Sequence, residues 1–443
     1  MFKMNVRKKM NFSLSCLLCS TTHKCIKLFA QKKYKLICIF SIITLVIYGF
    51  VPTILADDLE ESLDFDSTIN EQIVETLETS SSQIDLPSIN SRSAIVIDRN
   101  SNKVLYGKNE NEKRKMASTT KIMTSLIIIE NCNLQETVII SKKAASTGGS
   151  TLGIKTGDKI TVKDLLYGLM LKSGNDTAVA LAEFAGENLE GFAELMNKKA
   201  QELNLKNTHF VTPHGLDAED HYTTAYELAL LTNYALKNET FAQIVGTKTY
   251  TVTINGYPKT ISNTNELLGN LEGVYGVKTG FTNGANRCLV TACKRGDLDT
   301  ICIVLGADTK KFRTQDSIKL IEYCFKKYTT FNAKNVINEN FEAWGNKHLK
   351  DFKVVKGTSQ NVNLSISPLE NDILPISKDL LASIHVDIFC KTTLDAPMYK
   401  GTELGYIVLY SGDEIITKTK ILLDCDLQKK NFFDYIIDFF KIF

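Results

Sequence analysis

The sequence predicts an α/β (α+β) domain followed by a smaller β-rich domain, and three observations carry that prediction. Between about residues 91 and 330, β-rich runs at both ends enclose a long stretch of helical apolar spacing, so one sheet can join the two ends. Beyond 330 the texture changes to short alternating runs divided by turns. At 443 residues and 44% hydrophobic, the chain has material for two cores.

Taken in order, the first element is a leader. The basic segment "HKCIKLFAQKKYK" precedes "LICIFSIITLVIYGFVPTILA", which ends on the small residue Ala56. Charge, apolar run and small residue predict an exported chain with a signal peptide over 1–56. The alternative is an uncleaved anchor, because Leu36 to Leu55 is long enough to span a bilayer. Residues 57–90 are acidic and rich in Ser and Thr, and predict a flexible tether.

The ordered chain then opens with "SRSAIVIDRNSNKVLYGKN", two strands around a turn at Arg99 to Asn102, and a helix from Ser118. "TVKDLLYGLMLKSGNDTAVALAEFAG" and "LEGFAELMNKKAQEL" are helical. The strand-like "ANRCLVTACKR" and "LDTICIVLGA" follow, and "TQDSIKLIEYCFKKY" closes the domain as an amphipathic helix. From 331 to 427, "SIHVDIF", "KGTELGYIVLY" and "EIITKTKILL" predict the β-rich domain. In the final segment, 428–443, Phe432, Phe433, Ile436, Phe439, Phe440 and Phe443 share one helical face. That pattern suits a helix lying in a membrane interface; packing on the β-rich domain is the alternative.

Composition excludes some functions. With 52 Lys+Arg against 50 Asp+Glu, no basic field points to nucleic acid. Four of the 11 cysteines precede residue 56, and the rest fall mostly in apolar runs without a CxxC pair, so they predict buried thiols. His209, His214 and His221 are separated by Pro213 and Gly215 and match no zinc-ligand spacing.

Chemistry enters with a tripeptide that occurs twice, at Lys155-Thr156-Gly157 and at Lys278-Thr279-Gly280. The first is followed by Thr161 and Asp164, a turn leading into a capped helix. The second sits in strand–turn–strand texture, where a strand edge can hold an extended peptide and Lys and Thr can hold its terminal carboxylate. Ser118 and Lys121 supply a nucleophile and a base three residues apart, on one helical face. A lysine can take a proton only when neutral, and burial or a nearby cation such as Lys278 favours that form. Ser173, in "LKSGNDTA", can relay a proton to the leaving amine, and Asn175 can bond the substrate amide.

The order Ser118-x-x-Lys121, Ser173-x-Asn175, Lys278-Thr279-Gly280 resembles that of class A β-lactamases and penicillin-binding proteins. Together with "SAIVID", "THFVTPHGLD", "NTNELLG" and "VLGADTKKFR", it resembles the D-alanyl-D-alanine carboxypeptidases, the low-molecular-mass penicillin-binding proteins, over about 91–427. The resemblance implies an antiparallel sheet with a helical subdomain, and a C-terminal helix attached to the membrane. It implies Ser118 as nucleophile and Lys121 as base, with Ser173 and Asn175 lining the site. Lys278, Thr279 and Gly280 would bind substrate, and the backbone N–H groups of Ser118 and Phe281 would stabilise the oxyanion. Arg313 would help hold the terminal carboxylate, for which a guanidinium is geometrically suited. The implied substrate is the peptidoglycan stem peptide, with β-lactams as covalent inhibitors and no metal or organic cofactor. Asn286 stands where the family has glycine, a turn position that asparagine tolerates. A β-lactamase would need a glutamate-held water, and "THFVTPHGLD" contains no Glu-x-x-x-Asn loop. A non-catalytic penicillin sensor would share Ser118, and Ser118→Ala separates it from an enzyme.

Overall fold

The computed structural model describes residues 85–441, with side chains through 438. The expected signal segment and residues 57–84 of the tether lie outside the described residues.

The two ends of the first domain do meet in one sheet. Strands β1 (Ser93–Asp98), β2 (Val104–Lys108), β3 (Val274–Thr282), β4 (Asn286–Arg295) and β5 (Leu298–Ala307) assemble in the order β2-β1-β5-β4-β3. Every pairing is antiparallel, and β1 registers against β5 with Ile95 opposite Ile303. The strand period of two sends alternate residues to opposite faces. Ile95 and Ile97 enter the large core beneath the helical layer, whereas Ala94 and Val96 enter a second core under a single long helix.

The helical layer comprises α1 (Lys121–Asn131), α2 (Val162–Leu171), α3 (Asn175–Gly186), α4 (Leu189–Glu202) and α5 (Ala225–Ala235). Side-chain caps fix several starts: Thr161 accepts from Asp164 N, Asn188 from Gly191 N and Thr224 from Glu227 N. On the opposite face lies α6 (Lys310–Lys327), which begins four residues before the amphipathic pattern because Thr309 caps it through Phe312 N. The long apolar run around residue 170 divides into α2 and α3, because Ser173 takes a left-handed φ of 60° between them.

Strand Tyr328–Asn332 pairs with Ile373–Ser377 and carries the chain into the second domain. There β6 (Leu364–Ile366), β7 (Ile384–Cys390), β8 (Glu403–Ser411) and β9 (Glu414–Leu423) form a sheet in the order β6-β9-β8-β7. It carries a helix the sequence reading did not single out, α7 (Ala333–His348). Its sequence is mostly polar, and only Ala333 and Ile337 are fully buried, so the apolar period is too sparse to register. Ile337 packs on Ile407, Leu409 and Ile421 of the sheet. The last element among the described residues is α8 (Phe432–Lys441).

Candidate active site

Ser118 lies in the short 3-10 turn Ala117–Thr120 that feeds α1, and its side chain is 1% exposed. The turn requires a left-handed φ of 48° at Ala117. It packs so closely on the loop at Gly215 that a Cβ there would stand 1.9 Å from the Ala117 carbonyl oxygen. One turn onward, Lys121 donates from Nζ to Ser118 Oγ at 2.6 Å, to Asn175 Oδ1 at 2.7 Å and to the His214 carbonyl at 2.9 Å. The lysine is fully buried.

The break between α2 and α3 supplies the second group. Its left-handed backbone turns the Ser173 hydroxyl toward β3, where Lys278 Nζ donates to Ser173 Oγ at 3.0 Å. Asn175 opens α3 and is buried; Nδ2 donates to the Gly148 carbonyl at 2.9 Å while Oδ1 receives Lys121. In this structure the asparagine therefore holds Lys121, a contact beyond the substrate contact expected of it.

The third group comes from β3, an edge strand of the five-stranded sheet. Lys278 and Thr279 are buried on it. Gly280 lets the strand run against the serine turn, since a Cβ there would lie 3.1 Å from Ser118 N and 3.2 Å from Thr119 N. Phe281 follows, its ring covered by the Arg287 guanidinium at 3.8 Å. Thr264, in the loop before β3, meets the Thr279 hydroxyl at 2.9 Å. Short contacts thus join Lys121 to Ser118 and Asn175, and Lys278 to Ser173 and the Thr279 carbonyl, in two buried groups between which Gly280 lies against the serine turn.

Arg313 is placed in the first turn of α6, fully buried and ion-paired with Glu266 of that same loop. Burial pulls its guanidinium down to about 9, so it stays charged at neutral pH. Lys155-Thr156-Gly157 is an exposed turn: Asp158 N bonds the Lys155 carbonyl at 3.0 Å and Gly157 has φ 86°.

The histidines organise the loop over the site. His221 Nδ1 accepts from Val211 N at 3.0 Å, which fixes the proton on Nε2 and lets it donate to Thr120 Oγ1 at 2.8 Å. Burial holds His221 down to about 4 and His214 down to about 3. Motif reading did not find Thr264, Glu266 or the backbone acceptors at Gly148 and His214. Thr264 and Glu266 lie within "NTNELLG", which was legible as a family stretch, but the carbonyls carry no side-chain signal at all.

Fold and site together are those of a serine peptidase, with a buried lysine in hydrogen-bond contact with the serine. The comparisons agree. Residues 78–309 match the family model for D-alanyl-D-alanine carboxypeptidase, and 331–429 match that for the penicillin-binding protein 5 C-terminal domain. The carboxypeptidase DacF of Bacillus subtilis is 36% identical over 352 residues, covering 78% of this chain and 88% of that protein. DacA of Escherichia coli K12 is 33% identical over 370 residues, covering 81% and 88%. Among solved structures, penicillin binding protein 5 of Haemophilus influenzae superposes with a TM-score of 0.65 at 26% identity, covering 78% of this chain and 100% of that one. The carboxypeptidase DacD of Francisella tularensis gives 0.62 at 25%, covering 79% and 96%. The chain belongs to the D-alanyl-D-alanine carboxypeptidase family. It is a serine peptidase of peptidoglycan, in a family that works through an acyl-enzyme and binds penicillin covalently.

Proposed function

We propose that Ser118 carries the acyl group in the removal of the terminal D-alanine from stem pentapeptides. The observation that carries this reading is the 2.6 Å contact between buried Lys121 Nζ and Ser118 Oγ. Burial deprives an ammonium of hydration and so favours the neutral amine a base must be. Ser118 Oγ attacks the penultimate D-alanine carbonyl as its proton passes to Lys121. The oxyanion accepts from the backbone N–H groups of Ser118 and Phe281. The C–N bond then breaks as Ser173, bridged to Lys278, passes its proton to the departing amine and takes up the one held by Lys121, which leaves the lysine neutral again. Water, deprotonated by Lys121, hydrolyses the ester and frees Ser118. The edge of β3 holds the extended peptide, while Thr279 and Arg313 hold its carboxylate.

The assay is D-alanine release from a peptide ending in D-Ala-D-Ala, using the full chain in detergent with Ser118→Ala beside it. Release that depends on Ser118 supports the reading. Labelling by fluorescent penicillin without release overturns it in favour of a sensor.

The catalytic domain takes in 91–330 and the β-rich domain 331–427, with the chain acting at the outer face of the cytoplasmic membrane. Ser91, whose backbone N–H bonds the Asp316 carboxylate at 2.7 Å, supports including the start of this range in the domain. Among the described residues no helix is long and apolar enough to cross a membrane. Support for surface attachment lies in α8, whose Phe432, Phe433 and Ile437 are 73%, 71% and 52% exposed. Flotation with anionic vesicles tests it: Phe433→Glu should release the chain, and unchanged flotation sinks the attachment.

A further inference from the structure

The loop before β3 carries a buried acid that neither the mechanism above nor the motifs employ. Glu266 has its side chain 8% exposed and meets the first turn of α6 through one oxygen. Oε1 accepts from both the Arg313 guanidinium and the Thr314 hydroxyl, while Oε2 is buried with no hydrogen-bond partner among the described residues. Two residues earlier, the same loop presents Thr264 to the Thr279 hydroxyl at 2.9 Å. The loop is stiffened internally: Asn263 Oδ1 accepts from Asn265 N at 3.0 Å, and Asn265 Oδ1 from Leu267 N at 3.2 Å. One rigid loop therefore touches both groups assigned to the substrate carboxylate, Arg313 and Thr279.

We infer that Glu266 is a positioning residue for carboxylate recognition, setting how tightly the enzyme holds substrates with a free C-terminus. The inference rests on the carboxylate role proposed for Arg313. Burial pushes the Glu266 carboxyl up, and what favours its charged form is the Thr314 hydroxyl and the surrounding cations: Arg313 is paired to it, and the charges of Lys310 and Arg287 both act on it. Arg287 in turn covers Phe281, the residue after Gly280. Without the acid these like charges repel one another, and the fork of Arg313 loses the partner that orients it. The Thr264–Thr279 contact would loosen with it, because the loop is no longer tied to α6.

The test compares two substrates, a peptide ending in D-Ala-D-Ala as the free acid and the same peptide as its C-terminal carboxamide. In full-length enzyme, Glu266→Gln should raise KM for the acid about tenfold, the scale of one hydrogen bond to a charged group, with kcat little changed. The carboxamide should be nearly unaffected, so the acid-to-amide ratio of kcat/KM falls about tenfold. Glu266→Asp, which keeps the charge, should recover part of the ratio. Because a buried ion pair is being altered, Thr264→Val probes the other end of the loop without touching a charge, and should raise the acid KM alone. Equal losses on both substrates, an unchanged ratio, or a lower acid KM would each overturn the role of Glu266. Arg313→Ala separates the two readings. If it lowers the ratio and Glu266→Gln does not, only the Glu266 inference fails; if it leaves the ratio intact, the carboxylate role of Arg313 fails.

Discussion

The chain writes Lys-Thr-Gly twice, and the two copies share nothing but their letters. At 155–157 the side chains are exposed, the backbone turns through a left-handed glycine, and the tripeptide leads to the Thr161 cap of α2. At 278–280 Lys and Thr are buried on an edge strand, and the glycine lies against the backbone of Ser118 and Thr119. The first glycine is needed for its dihedral angle and the second for its missing Cβ. A motif acquires chemistry from what it packs against.

The largest expected effect tests that difference directly. Lys278→Ala removes the 3.0 Å partner of Ser173 and a buried cation, and should lower kcat/KM by about 10³-fold, the scale of losing a preorganised electrostatic contact. Lys155→Ala, at an exposed turn, should leave kcat/KM within about twofold. Steady-state D-alanine release on both variants decides it, and comparable losses would refute the contrast.

The glycines should part in the opposite sense. Gly280→Ala brings a methyl to 3.1 Å from Ser118 N, where the oxyanion is to sit, so activity should fall about 10²-fold with little change in Tm. Gly157→Ala meets open space but must hold φ 86°, so it should cost about 1 kcal/mol of stability with normal turnover. Melting curves and kinetics on the pair would show each glycine failing in its own observable.

How much of this was legible beforehand follows the same division. Which side chains lie close together was readable in part: residue type and order singled out Ser118, Lys121, Ser173, Asn175 and Lys278, and the structure puts Lys121 on Ser118 and Asn175, and Lys278 on Ser173. Joining the two ends of the domain through one sheet was readable from strand texture, because β1 and β5 are mostly apolar, and both are buried along their whole length. What was not readable is backbone and distant: the carbonyls of His214 and Gly148 that hold Lys121 and Asn175 come from loops with no distinguishing residue type. The end of an apolar helical run at Ser173 was readable; that Ser173 itself, and not the following glycine, takes the left-handed φ was not. The helix α7 was hidden by its polar sequence.

A smaller effect concerns acid. His221 is buried, and its folded-state value of about 4 lies below the ordinary 6.5, so folding favours its neutral form. Between those values the unfolded chain binds the proton and the folded chain does not, so stability falls as pH drops from 6.5 toward 4 and the loss is complete below about 4. The cost at its limit is about 3 kcal/mol, and buried His214 adds in the same direction. His221→Gln should flatten the dependence of Tm on pH over that window. Retention of the full slope would place the acid sensitivity elsewhere.

The smallest effect lies at the turn between β3 and β4. Asn286 stands at its end with φ 57°, in the left-handed region, where the resemblance to relatives led us to expect glycine. Asparagine is among the few side chains that enter this region at small cost, so the turn keeps its geometry without glycine. Asn286→Gly should therefore change stability by less than about 0.5 kcal/mol, the relief of strain offsetting the greater freedom of the unfolded chain. Asn286→Val cannot take the conformation cheaply and should cost about 1–2 kcal/mol. It should also lower activity, because the turn sets the register Thr282 against Asn286 from which Lys278 and Gly280 are hung. Denaturant melts of the two variants would show whether the φ value or the asparagine side chain holds the catalytic strand in register. If valine is as stable as asparagine, the turn is not what fixes that register.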